Sequence, residues 1–393
     1  MKKTPKKIGV FTGTRADYGL LRLLMQEIVD DQELELILFA SGSHLSMQFG
    51  YTINAITADG FVVNESVDML LSNDTRSATV KSLGLGLLGF ADALERQKPD
   101  LVIVLGDRYE ALGFAQASSL MGVPIMHLHG GEISEGASDD AMRHAITKLS
   151  TWHVVSAEEH RRRVVQLGES PNRVFNFGAL GLDENRLKDV LSRNDLMQFL
   201  GLDAEDQFAL ITYHPATAVP NEDYKSSFNN LIKALLSSTR LKLVVTYPNA
   251  DANSQAIFED ITYYRHTHQD RFIAVTSLGE QRYLTAVKYS KFVIGNSSSG
   301  LIEVPAFQVP TINIGERQKG RLKGNSVIDC GVSQKEIEAA IKEVEDDNFR
   351  SRIKSLPEVF GSGKVCHRIV SLIKTLDINT RKSFYDIELK DNL

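Results

Sequence analysis

Cysteine is nearly missing from this chain of 393 residues: Cys330 and Cys366 are the only two. They show neither CxxC spacing nor a neighbouring partner, so reduced thiols in a cytoplasmic protein are expected. Long apolar runs are missing too. No stretch approaches the roughly 20 residues that a bilayer-spanning helix needs. The amino terminus, MKKTPKKIGVF, starts basic but leads straight into a strand pattern. Without a long apolar core and a small-residue cleavage site, no signal peptide is expected. Dense basic runs are also wanting and the net charge is −6, which argues against a nucleic-acid partner. The short patch EEHRRRVVQLG reads as the solvated face of a helix. No short-period repeat or low-complexity tract occurs, and the polar tail RKSFYDIELKDNL is expected to pack only in part.

What is present is ordinary in bulk and specific in pattern. The chain is 42% hydrophobic and 24% charged, and its length exceeds one comfortable core, so two domains are expected. Apolar, β-rich runs recur, each followed by a helical pattern. IGVFTG leads into YGLLRLLMQEI, LVIVLGD into RYEALGFAQASSLMG, and WHVVSA into EEHRRRVVQLG. Near-continuous Val, Ile and Leu strands point to a parallel sheet covered on both faces. The pattern then restarts with FALITYH, LKLVVTYPN, FIAVTS, FVIGNSS and TINIG. The expected fold is α/β, with two doubly wound Rossmann-like domains in series and a boundary in the polar segment near 182–195. In such sheets the loops at the carboxyl ends of strands carry the site, which places the chemistry in the crevice between the domains.

Three stretches are candidates for holding phosphate. In FVIGNSSSGLIEVPAF a buried strand ends at Gly295, and Asn296, Ser297, Ser298 and Ser299 precede a helix. Free N–H groups and small hydroxyls at a helix N-terminus make an anion site, although a plain Ser/Asn cap reads the same way. Glu303, expected in the first helical turn, can accept from ribose hydroxyls. TINIGERQKGR presents Arg317, Lys319 and Arg321 just after another strand end, where cations complement a diphosphate or simply form a solvated loop. VFTGTRADYGLL lacks the glycines of a dinucleotide fingerprint, which argues against NAD there. Asp17 is expected as the N-cap of the following helix and Arg15 as a phosphate or substrate contact.

A cluster of titratable groups lies in the first half. VLGDRYEAL puts Asp107 and Arg108 at the carboxyl end of a buried strand, and HLHGGEISEGASDDAMRH follows the next strand. Asp139 and Arg143 are spaced i, i+4 and share a helix face, with Ser138 or Asp139 as a plausible cap. A surface salt bridge would explain the pair equally well. His127, His129 and Glu132 invite a metal reading, but no third ligand of characteristic spacing stands out. His127 on its apolar strand reads better as a hydrogen-bonded structural histidine, so no metal is assigned. His214 in TYHPAT, and Asn249 and Asp251 in TYPNADANS, close two strands of the second half. Carboxylates and a histidine on one wall, with phosphate-holding groups on the other, suit proton removal and return on a nucleotide-bound sugar.

In this order, GTRADYGLL, LGDRYEAL, HLHGGEISEG, RHAITKLS, VVQLGE, YHP, YPNADANS, GNSSSGLIEVPAF and INIGERQKGR resemble the hydrolysing UDP-N-acetylglucosamine 2-epimerases, most of all the bacterial branch of nonulosonic (sialic) acid synthesis. The resemblance runs from about residue 7 to FYDI near 384. It implies a glycosyltransferase-B-like fold: residues 1–185 a domain with the acid/base groups, 186–365 a UDP-binding domain, and 366–393 a segment returning to the first. It also implies conversion of UDP-N-acetylglucosamine and water to N-acetylmannosamine and UDP, through elimination to 2-acetamidoglucal and addition of water. No cofactor is implied, and a homodimer or homotetramer is. Asp107, Asp139 and its partner Arg143 match acid/base positions, and His214 matches a phosphate-contacting histidine. Arg15, Arg108, Asn249, Leu278, Ser297, Ser298, Glu303 and Arg317 match substrate-binding positions. Animal and non-hydrolysing members carry a glutamate where this chain has His129; as C2 base, Asp107 and Glu132 rank above His129.

Other readings remain open on sequence alone. Relatives in the legionaminic acid pathway act on UDP-2,4-diacetamido-2,4,6-trideoxyglucose by the same chemistry. A retaining glycosyltransferase of this fold would need an acceptor, a nucleotide-sugar sensor would leave Asp107, Asp139 and His214 without a task, and a metal-dependent hydrolase would stop with chelator.

Overall fold

The computed structural model describes residues 4–72, 75–134, 138–214, 224–248, 254–276, 278–355, 359–361, 363–378 and 381–388. The chain divides into two compact units. The first holds residues up to Glu132, then Ser138–Asp183 and Gly363 onward; the second holds Ile133–Ala137 and Glu184–Ser362. Among the described residues no helix is long and apolar enough to cross a membrane.

The first unit runs β1 (Lys6–Thr12), α1 (Arg15–Asp30), β2 (Leu34–Ser41), α2 (Ile53–Ala58), β3 (Glu65–Val67), α3 (Arg76–Gln97), β4 (Leu101–Leu105), α4 (Tyr109–Leu120), β5 (Ile125–Leu128), α5 (Ser138–Leu149), β6 (Trp152–Val155), α6 (Glu158–Gln166) and β7 (Val174–Asn176). Its seven strands order as β3-β2-β1-β4-β5-β6-β7, and each pairing is parallel. Parallel strands need helical crossovers, which cover both faces, so β4 (LVIVL) is buried at every position. The strand order reverses between β1 and β4. Ligands of doubly wound sheets bind at that reversal, beyond the carboxyl ends of the strands.

The second unit runs α7 (Glu184–Lys188), α8 (Arg193–Leu200), β8 (Phe208–Thr212), α9 (Tyr224–Ser238), β9 (Lys242–Thr246), α10 (Ser254–Thr267), β10 (Phe272–Val275), α11 (Gly279–Tyr289), β11 (Val293–Gly295), α12 (Ser299–Ala306), β12 (Thr311–Ile314), β13 (Val327–Cys330), α13 (Gln334–Glu345) and α14 (Asp347–Ile353). Its parallel sheet orders as β10-β9-β8-β11-β12-β13, with the reversal between β8 and β11. The final helix, α15 (Val365–Thr375), belongs to the first unit. Val365, Ile369, Val370 and Ile373 share a core with Ile8, Val10, Leu21 and Met25. Lys6 Nζ caps the end of α15 by donating to the carbonyls of Ile373, Lys374 and Leu376 at 3.1 Å each, where exposed C=O groups and the helix dipole favour a cation.

The start of α1 corrects one expectation. The N-cap is Thr14, whose hydroxyl accepts from the Asp17 N–H. Asp17 sits three residues in and accepts from the Gly13 N–H at 3.3 Å. A threonine in extended conformation meets the geometry of a cap, and the acid one turn on satisfies a further orphan donor. The arginines of α6 also differ from a purely solvated face: Arg161 donates to the carbonyls of Pro171 and Val174, and Arg163 to that of Gly131.

Candidate active site

Three loops of the first unit, after β1, β4 and β5, carry the titratable residues. Arg15 opens α1 and is exposed. Arg108 lies at the N-cap of α4 and is gripped by Glu110, with contacts of 3.2 and 3.3 Å. Glu110 is buried beneath Gly13 and Gly42, whose missing side chains leave room for it. Sequence reasoning passed over Glu110; a charged residue in the first turn of a largely apolar helix was the available signal.

Arg143 is the hub. Its side chain is 2% exposed, yet it reaches three groups. One nitrogen donates to Asp107; the other donates to the Glu132 carbonyl at 2.9 Å and to Asp140 at 3.3 Å. The expected i, i+4 partnership with Asp139 is thus replaced by an ion pair to the β4 loop and an i, i+3 contact to Asp140. Ser138 and Asp139 both lie inside α5, so neither is its cap. Asp139 is held above the usual carboxylate range, first by burial and then by the nearby Asp107 charge, with Arg108 and Arg143 opposing. Asp17 is pushed up to about 6, chiefly by burial, against the pull of Arg108.

The two histidines of HLHGGE have different tasks. His127 is fully buried. Its Nε2 donates to the Gly106 carbonyl at 2.8 Å, leaving Nδ1 to accept from Thr147 at 3.1 Å. Burial pushes it down to about 3, so this neutral ring pins the Asp107 loop against α5. His129 turns out of β5 with φ of 63°, a left-handed conformation that costs a non-glycine residue energy and recurs at functional sites. Its Nε2 accepts from the Leu180 N–H at 3.2 Å, which places the proton on Nδ1, donated to Glu132 at 2.9 Å. The two rings therefore do not converge on one point. Burial raises the Glu132 carboxyl, but the His129 hydrogen bond and neighbouring positive charge prevail and hold it far below its ordinary range. Ser156 donates to the same oxygen at 3.1 Å. A carboxylate so satisfied is a poor base, which leaves Asp107 as the better candidate.

The second unit gathers loops after β8, β11 and β12 around Asn296. This buried side chain accepts from the His214 N–H at 2.8 Å and donates to the His214 carbonyl at 2.7 Å. The Asn296 main-chain carbonyl accepts from Arg317 and from Gln318, both at 2.9 Å. Sequence named Asn296 only as part of the phosphate loop and passed over Gln318, because burial is invisible there. Gly295 has φ of 147°, and a Cβ there would lie 1.9 Å from the Thr212 carbonyl, so only glycine serves. Ser298 is the N-cap of α12 but makes no side-chain capping bond, and Ser297 stands beside it half-buried. Main-chain N–H groups and hydroxyls here meet the requirements of an anion site.

Glu303 lies in the second turn of α12, not the first, because the helix starts only at Ser299. It is paired with Arg186 at 2.5 Å, and Arg186 also meets Glu280 at 2.5 Å. Leu278 is buried in the core before α11, so only its main chain is available to a ligand. Asn249 and Asp251 lie outside the described residues.

Two Rossmann-like units with donor-rich loops at their strand reversals define an α/β protein of the glycosyltransferase-B-like, nucleotide-sugar-binding kind. The model of the UDP-N-acetylglucosamine 2-epimerase family matches residues 26–374, so the chain belongs to that family. It is 38% identical over 385 residues to the GDP/UDP-N,N'-diacetylbacillosamine 2-epimerase (hydrolyzing) of Campylobacter jejuni, covering 97% of this chain and 99% of that one. To the polysialic acid biosynthesis protein P7 of Escherichia coli it is 36% identical over 390 residues, covering 97% and 98%. The crystal structure of the Neisseria meningitidis UDP-GlcNAc 2-epimerase bound to UDP-GlcNAc superposes with a TM-score of 0.77 at 14% identity, covering 94% of this chain and 100% of that one.

Proposed function

We propose that this chain is a hydrolysing 2-epimerase of a UDP-2-acetamido sugar, releasing UDP and the free 2-epimeric sugar. The observation that carries the reading is the carboxylate pair around Arg143: Asp107 engaged by its guanidinium, and Asp139, nearby, with a carboxyl biased toward its protonated form. One group to take a proton and a second to give one are what elimination followed by addition requires.

The C2 proton of the intact sugar is barely acidic. As the C1–O bond breaks and UDP departs with the electron pair, positive charge at C1 acidifies C2. Asp107 takes that proton, and a C1=C2 double bond forms, giving the glycal. Asp139 then gives a proton to C2 from the opposite face, inverting that carbon, while water adds as hydroxyl to C1 and its displaced proton restores Asp139 through solvent; Asp107 gives its proton up to solvent. Arg143 holds Asp107 in place. Residues 1–185 with 366–393 supply this chemistry, and 186–365 hold UDP. Ser297, Ser298, His214 and Arg317 receive the diphosphate, Glu303 the ribose, and Arg15 and Arg108 the departing phosphate.

On the sugar itself, end-to-end identity of 38% with the Campylobacter enzyme weighs more than a family-wide description. UDP-N,N'-diacetylbacillosamine is therefore put first and UDP-N-acetylglucosamine, the reading from sequence, second. The setting is the cytoplasm, in keeping with the free thiols of Cys330 and Cys366, and the enzyme self-assembles. The test is incubation of each UDP-sugar in deuterated water under proton NMR. Free 2-epimeric sugar deuterated at C2, together with UDP, is expected. Sugar epimerised but still bound to UDP would make the enzyme non-hydrolysing, and transfer only to an added acceptor would make it a glycosyltransferase.

A further inference from the structure

We propose that Lys382, with the C-terminal segment around it, is a positioning residue for α5, the helix that carries Asp139 and Arg143. The inference rests on the functional reading only in taking those residues as the acid/base machinery. Lys382 Nζ donates to the carbonyls of Lys148 and Ser150, at 2.6 and 2.8 Å, where α5 ends. It also meets Glu169 at 2.7 Å. Glu169 is fully buried, and its two oxygens take Lys148 at 2.6 Å and His153 at 3.1 Å. One carboxylate thus joins α5, β6 and the tail.

The tail has a prepared seat. Gly168 has φ of 84°, and a Cβ there would lie 2.4 Å from the Phe384 ring. The Gly168 carbonyl accepts from the Tyr385 N–H at 2.9 Å, and Arg173 donates to the Arg381 carbonyl at 2.8 Å. Lys148 Nζ stands 4.9 Å from the centre of the Phe384 ring, close enough for a cation–π contact. A helix C-terminus has unpaired carbonyls and partial negative charge, which an ammonium group satisfies. Because a short helix moves as a rod, fixing its C-terminal end also fixes where its first turns carry Asp139 and Arg143. The polar tail is in this respect a built contact rather than a loose end.

The test uses the full-length chain with Lys382→Met, Lys382→Arg, and a stop codon in place of Arg381. Expected for Lys382→Met is a fall in kcat of about tenfold, with KM and UDP affinity held within about twofold, since small misplacements of reacting groups cost rate rather than binding. Lys382→Arg restores kcat, and α5 amides exchange faster in Lys382→Met than in wild type. Unchanged kcat in both Lys382→Met and the shortened chain overturns the proposal, and so does a loss of activity that Lys382→Arg fails to rescue. If wild type turns over neither UDP-sugar, the functional reading falls, while unchanged α5 exchange in Lys382→Met would still overturn the clamp.

Discussion

Arg143 holds Asp107 across 36 residues of sequence, from a helix to a strand-end loop, with its guanidinium almost wholly buried. Removing one partner of a buried pair leaves the other charge uncompensated, which costs about 3 kcal/mol or more. Arg143→Met is therefore expected to lower stability by that order in urea unfolding and, by freeing the Asp107 side chain to turn away, to slow hydrogen exchange at C2. Asp107→Asn removes the base itself, so hydrogen exchange at C2 and UDP release should both stop. Asp139→Asn differs: elimination proceeds, and 2-acetamidoglucal with UDP accumulates because protonation of C2 is blocked. Equal residual formation of free epimer in the two aspartate variants would refute this division of roles.

The contrast between these contacts and the sequence is instructive. Strands were legible because parallel strands buried on both faces must be continuously apolar, as β4 is. The loops bearing Asp107, His129, His214 and Asn296 follow from strand ends and a strand reversal. Partnerships were less legible. Helical spacing offers Asp139 to Arg143, but the sheet brings a loop from a neighbouring strand nearer, and no local rule reports that. The left-handed backbone of His129 leaves no mark on composition. Two boundaries moved by a residue or a turn, at Thr14 and Ser299, enough to reassign Asp17 and Glu303.

Asp17 predicts a pH-dependent stability. Its folded carboxyl is raised from 3.8 to about 6, so the folded state binds that proton more tightly than the unfolded state. The stability this lends is full below the unfolded value and is lost as pH rises through about 6. Asp17→Asn keeps an acceptor for the Gly13 N–H but carries no charge. Discounted for partial exposure, it should gain about 1–2 kcal/mol on wild type above pH 7 and little at pH 4. Thermal melts at both pH values check this, and a gain confined to low pH would reverse the sign and refute it.

Arg186 comes from the polar segment near the expected boundary, yet it binds Glu303 and Glu280 together. If Glu303 receives ribose, Arg186 sets its orientation. Arg186→Met should weaken UDP binding by about tenfold in calorimetry, Glu303→Gln by a similar factor, and the two together by no more than either, as for coupled neighbours. Full additivity would show that Arg186 does not act through Glu303, and unchanged UDP binding in Glu303→Gln would show that the nucleotide does not use Glu303.

The proposed self-assembly can be tested at one exposed face. On α3, Val80 and Leu88 are 69% and 71% exposed, and Gly84 lies between them on the same side. Positions spaced by four share one helical stripe. Apolar stripes on otherwise charged surfaces mark association sites. Wild type should elute as a dimer or tetramer in chromatography with light scattering. A Val80→Glu, Leu88→Glu double variant should be monomeric with an unchanged circular dichroism spectrum, because both side chains already face solvent in one copy. An oligomer that survives both charges would move the interface elsewhere, and a wild-type monomer at micromolar concentration would remove self-assembly from the reading altogether.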